Sequence, residues 1–291
     1  MIILIEGIDR TGKSTLADRL SAFTGGTIFH FSKPETHPLY EYTASLATYD
    51  PVRSTVILDR SHVGESVWPL VFDRPSKLDE PMRRWLNMFY MSRGAVLLHA
   101  VRAVDQATAD EYEAAGEPIY LLGDIDYAAN LYRSVVSETG LPVWEYEHGG
   151  WPGAALHEAA RRSVIASELM GVTPRWVGSP APRLLIVGPH DSHRAMPSMP
   201  YEDTDAHFLL GELSGWRQCA LVNAVRPDGE GVEPLKALWR GLGSPAVVAI
   251  GGEAADTVRS CGMAPDDVIG DLHGWRRTTS GNLGEYLGRI V

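Results

Sequence analysis

The segment Gly7-Ile-Asp-Arg-Thr-Gly12-Lys13-Ser14 constrains this chain more than any other. It fits the spacing G-x-x-x-x-G-K-[ST], follows the apolar run Ile2–Ile5 directly, and opens the helical stretch Ser14–Phe23. Glycines at both ends let the backbone curl so that successive N–H groups point inward at phosphate oxygens. The amino end of the following helix adds about half a positive charge. In such a loop Gly7, Thr11, Gly12, Lys13, Ser14 and Thr15 hold the phosphates of a nucleotide. Lys13 reaches the β- and γ-phosphates, and the Ser14 hydroxyl ligates magnesium. ATP and Mg2+ are therefore the expected cofactors.

The rest of the chain continues in the same manner. Apolar runs of strand length lie at Ile2–Ile5, Ser54–Leu58, Gly94–Ala100 and Leu141–Glu147. Helical stretches separate them at Ser14–Phe23, Pro81–Met91, Asp124–Thr139 and Ala154–Met170. Short continuous apolar strands alternating with helices imply a parallel sheet covered on both faces. Residues 171–183, GVTPRWVGSPAPR, read as a linker, and beyond them Leu184–Val187, Cys219–Val222 and Ala246–Ile250 repeat the pattern. The expected organisation is an α/β domain over 1–172, a linker over 173–183, and a second, smaller α/β domain over 184–291.

Composition narrows the function classes. With 291 residues, 44% hydrophobic and 22% charged, the chain can bury a sizeable core. No apolar run reaches the roughly 18 residues of a membrane helix and no signal peptide opens the chain, so no membrane partner and a cytoplasmic location are expected. The two cysteines, without a CxxC spacing, argue against a disulfide framework, a zinc site or an iron–sulfur cluster. A net charge of −11 opposes broad attraction to nucleic acid and leaves a local basic pocket as the route to it.

A phosphate loop does not name a reaction. A GTPase needs N-K-x-D, and Asn is followed by Lys nowhere in the chain. A mechanical ATPase usually ends a hydrophobic strand in Asp-Glu, whereas Leu58 is followed by Asp59-Arg60. That arginine suggests a second phosphate, carried by an acceptor.

The residues Glu6-Gly7-Ile8-Asp9-Arg10-Thr11-Gly12-Lys13-Ser14-Thr15 resemble the phosphate loop of thymidylate kinases, where E-G-x-D-x-x-G-K-[ST]-T recurs. Asp59-Arg60-Ser61-His62 resembles their D-R-[YH] element. The longer stretch from Asp59 through Glu65 to Trp68 is similar to the thymidylate-kinase-like enzymes of bacteriophages. The resemblance spans roughly residues 1–170. It implies a P-loop kinase domain of three layers, often dimeric, in a bacterial or phage-infected host cell. It further implies that Lys13 and Ser14 hold ATP and magnesium, that Asp9 contacts the acceptor, and that Arg60 clamps the acceptor's phosphate with its planar fork. Asp59 would orient magnesium through water, and Glu65 would reach the sugar or the metal.

Arg10 is the candidate for the positive charge on the migrating phosphoryl group, because the lid region Ala103–Leu131 contains no Lys or Arg. Arg102 and Arg133 flank that lid. Phe31, within the aromatic group Phe29, Phe31, Pro34, Tyr40 and Tyr42, can either stack on an acceptor base or pack in the core. His30, His37 and His62 are too irregularly spaced to argue for a metal.

Residues 184–280 carry a fainter resemblance to uracil-DNA glycosylase-like domains, through Leu184–Gly188, Leu221-Val-Asn223, Val247–Ala254 and His273-Gly-Trp-Arg-Arg277. Carried over, Asn223 reads a base and His273 stabilises a leaving anion. Asp191 stands near the place of a water-positioning carboxylate, out of register. A non-catalytic base-binding module, an active glycosylase and a scaffold all stay open for this part.

The leading expectation is transfer of the γ-phosphoryl of ATP to a deoxynucleoside monophosphate, dTMP or a 5-substituted dUMP foremost. The alternatives are a kinase acting on 5-hydroxymethyluracil within DNA and a nucleotide-binding regulator that transfers nothing.

Overall fold

A computed structural model gives the structure of the chain and describes residues 1–32, 38–44, 46, 54–170, 176–188, 216–223 and 232–269. The elements run β1 (Ile2–Glu6), α1 (Lys13–Thr24), β2 (Thr27–His30), α2 (Pro38–Ala44), β3 (Val56–Asp59), α3 (Trp68–Val71), α4 (Glu80–Ser92), β4 (Val96–Val101), α5 (Gln106–Ala114), α6 (Leu122–Glu138), β5 (Val143–Glu147) and α7 (Gly153–Met170). After these come β6 (Trp176–Gly178), β7 (Leu184–Gly188), β8 (Cys219–Asn223), α8 (Val232–Gly241), β9 (Ala246–Ile250), α9 (Gly251–Ser260) and β10 (Asp267–Ile269). The chain divides into two compact units, Met1–Asp79 with Gly94–Val164, and Glu80–Arg93 with Ile165–Val291.

In the first unit five strands form a wholly parallel sheet in the order β2-β3-β1-β4-β5. β1 is central because its run IILI is apolar on both faces. Ile3 and Ile5 face one way, onto Leu16, Ala17 and Leu20 of α1 and Ala155, Leu156 and Ala159 of α7. Ile2 and Leu4, pointing the other way, are as completely buried. Fully burying one such side chain contributes roughly 1.5–3 kcal/mol. The chain leaves β1 toward β2 and β3 on one side and later reaches β4 and β5 on the other. The ends of β1, β3 and β4 thus flank a topological switch point, where open α/β sheets bind ligands.

The second unit holds a five-stranded sheet in the order β10-β9-β7-β8-β6. It is parallel except at its edge, where β6 runs antiparallel to β8. Its core joins Leu185, Val187, Ala220, Val222, Val247 and Ala249 of the sheet to Leu235 and Leu238 of α8 and Ala254, Ala255 and Val258 of α9.

Two features differ from the expectation. Trp176–Gly178 lie in the segment read as a linker, yet they form β6; a three-residue edge strand tolerates the neighbouring prolines because one side of it needs no ladder partner. Helix α4 lies inside residues 1–172 but groups with the second unit, where it packs on β6. Trp85, Leu86, Met88, Phe89, Tyr90 and Met91 are all buried, while Glu80 is exposed and Arg83 and Arg84 are half-buried at the start of the helix. Among the described residues no helix is long and apolar enough to cross a membrane.

Candidate active site

The loop between β1 and α1 has the shape its glycines require. Gly7 sits at φ +144°, and a Cβ there would fall 2.2 Å from the Ala100 carbonyl oxygen. Gly12 sits at φ +81°, where a Cβ would fall 2.2 Å from Nδ1 of His148. Neither position admits a side chain. Gly12 also caps α1 without a side-chain hydrogen bond, so the first-turn N–H groups are left for an anion. Thr11 turns inward and donates from Oγ1 to the Ile8 carbonyl at 2.9 Å.

Lys13 is buried in this curl. Its Nζ donates to the Ile8 carbonyl at 2.6 Å and lies 3.7 Å from Asp9 Oδ1. Burial pulls the ammonium below its ordinary range, while Asp9 opposes that shift. Thr15 follows on α1 and is exposed.

The end of β3 supplies the facing groups. Ser14 Oγ donates to Asp59 Oδ2 at 2.8 Å, and His30 Nδ1 approaches the same oxygen at 3.0 Å. Asp59 is buried, and its Oδ1 has no hydrogen-bond partner among the described residues. No group of three or more His, Cys, Asp or Glu side chains able to hold a metal occurs among those residues. A hydroxyl beside a carboxylate with a spare oxygen nevertheless fits Mg2+, which binds one or two carboxylates and takes its other ligands from phosphates and water.

Arg60 adopts φ +67°, donates its amide to the Ile5 carbonyl at 3.0 Å, and donates from Nη2 to Asp9 Oδ1 at 2.8 Å. Asp9, Lys13 and Arg60 thus converge on one carboxylate oxygen.

Two other expected residues have protein partners of their own. The buried carboxylate of Glu65 is gripped by Arg74 through both oxygens, at 2.9 and 2.8 Å, and accepts the Lys77 amide at 2.8 Å. It ties down the turn after α3. The Phe31 ring packs against the buried Tyr42, with centroids 5.2 Å apart.

The lid region meets the loop through α5. Tyr112 donates its hydroxyl to the Asp9 carbonyl. Arg10, in a left-handed backbone at φ +57°, donates from Nε to Glu117 at 3.1 Å. Arg102 donates from Nη1 to the Arg10 carbonyl at 3.2 Å and to Glu111 at 2.9 Å. A small cavity next to Ile8 is lined by His99, Arg102 and Arg133. The sequence marks Arg10 and Arg102 but not their acidic partners, because Glu111 in α5 and Glu117 just after it belong to no motif. Nor does it mark Glu6, which is fully buried and whose carboxyl burial pushes up to about 7, against a Ser61 hydrogen bond that lowers it.

In the second unit Asn223 is the last residue of β8, in register with Gly188. Asp191 and His273 lie outside the described residues.

No protein-family model matches the chain. The crystal structure of YorR from Bacillus subtilis in complex with phosphorylated GDP is similar at 25% identity and a TM-score of 0.43, over 60% of this chain and all of that one. The structure of deoxyadenosine kinase from M. mycoides with bound dATP is similar at 13% identity and a TM-score of 0.33, over 54% of this chain and 95% of that one. In sequence, the chain is 30% identical over 156 residues to the SPbeta prophage-derived uncharacterized protein YorR of Bacillus subtilis (strain 168). That match takes in 52% of this chain and 90% of YorR, so the chain belongs to the YorR family.

Proposed function

We propose that the chain is a kinase that transfers the γ-phosphoryl group of ATP to a deoxynucleoside monophosphate, dTMP or a 5-substituted dUMP foremost. The observation that carries this reading is the meeting of Lys13 and Arg60 at Asp9 Oδ1, beside a glycine cradle that only backbone can line. A cation in the donor's loop and a second cation at the end of the neighbouring strand suit two phosphates brought together. A nucleotide hydrolase needs only the first.

In this reading the loop amides and Lys13 hold the donor's phosphates, and Arg60 exchanges Asp9 for the acceptor's phosphate. Asp9, released, turns to the acceptor. An acceptor oxygen forms a bond to the γ-phosphorus as the bond from that phosphorus to the β-bridging oxygen breaks, leaving ADP and a nucleoside diphosphate. Ser14 and Asp59 would hold Mg2+, which when bound neutralises charge on the phosphate oxygens. No side chain forms a covalent intermediate, since positioning and charge supply most of the acceleration. The thymidylate preference rests on the resemblance of the loop and of Asp59–His62. For the second unit we propose a base- or nucleotide-binding module, with Asn223, Asp191 and His273 as the residues to substitute first.

The test is incubation with ATP–Mg and a panel of nucleoside and deoxynucleoside monophosphates, with duplex DNA containing 5-hydroxymethyluracil as a separate arm. Guanine nucleotides belong in the panel because YorR was crystallised with phosphorylated GDP. A deoxynucleoside diphosphate formed with equimolar ADP supports the reading. Labelled DNA in place of labelled nucleotide replaces it with the DNA kinase. ATP binding without any product replaces it with the regulator.

A further inference from the structure

Glu6 is fully enclosed at the carboxyl end of β1, one residue before the cradle, and the chemistry above leaves it unused. Its neighbours build the turn that follows β3. Ser61 Oγ donates to Glu6 Oε1 at 2.6 Å, and the Gly64 amide donates to the same oxygen at 3.4 Å. Gly64 comes this close because it lacks a side chain; a Cβ there would lie 3.1 Å from the Tyr132 hydroxyl and 3.6 Å from Glu6 Oε2. Oε2 itself finds no hydrogen-bond partner among the described residues.

Arg60 lies between two of these ties. Its own amide is bound to the Ile5 carbonyl, and the next side chain, Ser61, is bound to Glu6. Its left-handed backbone is unfavourable for a residue with a Cβ and persists only where the surroundings impose it. The guanidinium that meets Asp9 is therefore aimed by a strained turn whose anchor is the last residue of β1.

We propose that Glu6 is a positioning residue for the phosphoryl acceptor: through Ser61 and the Gly64 amide it fixes the turn that aims Arg60. The inference rests on the kinase reading for the identity of the acceptor, though not for the anchoring itself. Glu6 acts through other groups, and what it supplies is an enclosed oxygen that takes two donors. Burial pushes its pKa up to about 7, so at neutrality about half of the carboxyl population carries its proton. A neutral amide keeps the acceptor oxygen that Ser61 and the Gly64 amide use, and so replaces it.

The experiment compares wild type with Glu6→Gln, Glu6→Leu and Ser61→Ala by steady-state kinetics with ATP–Mg and dTMP. Hydrogen exchange over residues 58–66 is measured in parallel without nucleotide. Glu6→Leu and Ser61→Ala are expected to raise the acceptor KM at least about fivefold while the ATP KM moves less than about twofold. Exchange of the Arg60–Gly64 amides should rise at least about tenfold. Glu6→Gln should stay within about twofold of wild type on both readouts.

Two KM values rising together would mean general damage to the phosphate loop and overturn the proposal. So would unchanged exchange in Ser61→Ala, or a Gln variant as impaired as the Leu variant. If Glu6→Leu does not fold, Ser61→Ala decides. A wild-type protein that phosphorylates no monophosphate overturns the kinase reading, and the exchange arm then still decides the anchoring.

Discussion

The central strands of the two sheets make an instructive pair. β1 (IILIE) and β7 (LLIVG) each stand third in the order of their sheet, and both are buried along their whole length. As scaffolding they are interchangeable in kind. They differ in what is buried around them. The first unit encloses Glu6, Lys13, Asp59 and Glu65, whereas among the described residues of the second unit the one buried charged side chain is Arg93. Enclosing charge opposes stability unless every group is paired, and among the described residues Glu6 Oε2 and Asp59 Oδ1 have no hydrogen-bond partner. Enclosed ionisable groups of this kind cluster at functional sites. The second unit's core cluster is apolar apart from the thiol of Cys261 and the indole N–H of Trp176, the latter without a hydrogen-bond partner among the described residues.

That contrast breaks if charge and apolar bulk can be exchanged in effect. Lys13→Met keeps the aliphatic stem and removes the ammonium. Turnover should fall by about a thousandfold, since one charge aimed at the transferring group supplies several kcal/mol. The Tm should not fall, because burial already disfavours that ammonium. A Lys13→Met protein that unfolds earlier would show the charge to be structural.

Leu185→Ala, in the second core, is the converse case. It should lower unfolding free energy by about 2–5 kcal/mol in urea titrations and leave kcat unchanged. A loss of kcat with intact stability would mean that the second core serves the reaction.

Glu6 sharpens the comparison through pH. Its carboxyl ionises near 4.5 in an open chain and at about 7 in the fold. Between those values the native state holds a proton that the unfolded state has released, so stability falls as pH rises, by up to about 1.4 kcal/mol per unit. Below 4.5 and above about 7 this contribution is flat. Isothermal denaturation across that window should show the slope in wild type and lose it in Glu6→Gln. An equal slope in both proteins would assign it to other groups.

What the sequence revealed and what it hid have physical reasons. The loop was legible because its glycines, Lys13 and Ser14 stand at a fixed spacing, and Asp59 and Arg60 because they follow an apolar strand and resemble the D-R-[YH] element. β2 was not, since Thr27–His30 is short and partly exposed, without a continuous apolar run. Helix α5 was hidden for a related reason: QATADEYEA buries only Thr108, Ala109 and Tyr112, and an Asp105 cap on the Thr108 amide marks its start. β6 was concealed by the prolines and glycines around it; α4 was legible as a helix over Pro81–Met91, but its grouping with the second unit depends on its packing against β6, which no local spacing encodes. Glu6 stood in plain view as a letter of the motif; that its carboxyl would lie under the Arg60 turn depends on the pairing of β1 with β3, which no local spacing encodes.

Arg10 gives the smallest effect and the finest distinction. It is the exposed counterpart of Lys13 in the same loop, tied to Glu117. If the guanidinium leaves that carboxylate for the migrating phosphoryl group, Arg10→Ala should lower kcat at least about tenfold with little change in the ATP KM. Glu117→Gln, which loosens the competing tie, should raise kcat by up to about twofold and leave the ATP KM close to wild type. The opposite pattern, turnover unchanged in both variants, would make the pair a surface strap between the loop and the lid. Lys13 would then be the one cation from the loop to act on the donor.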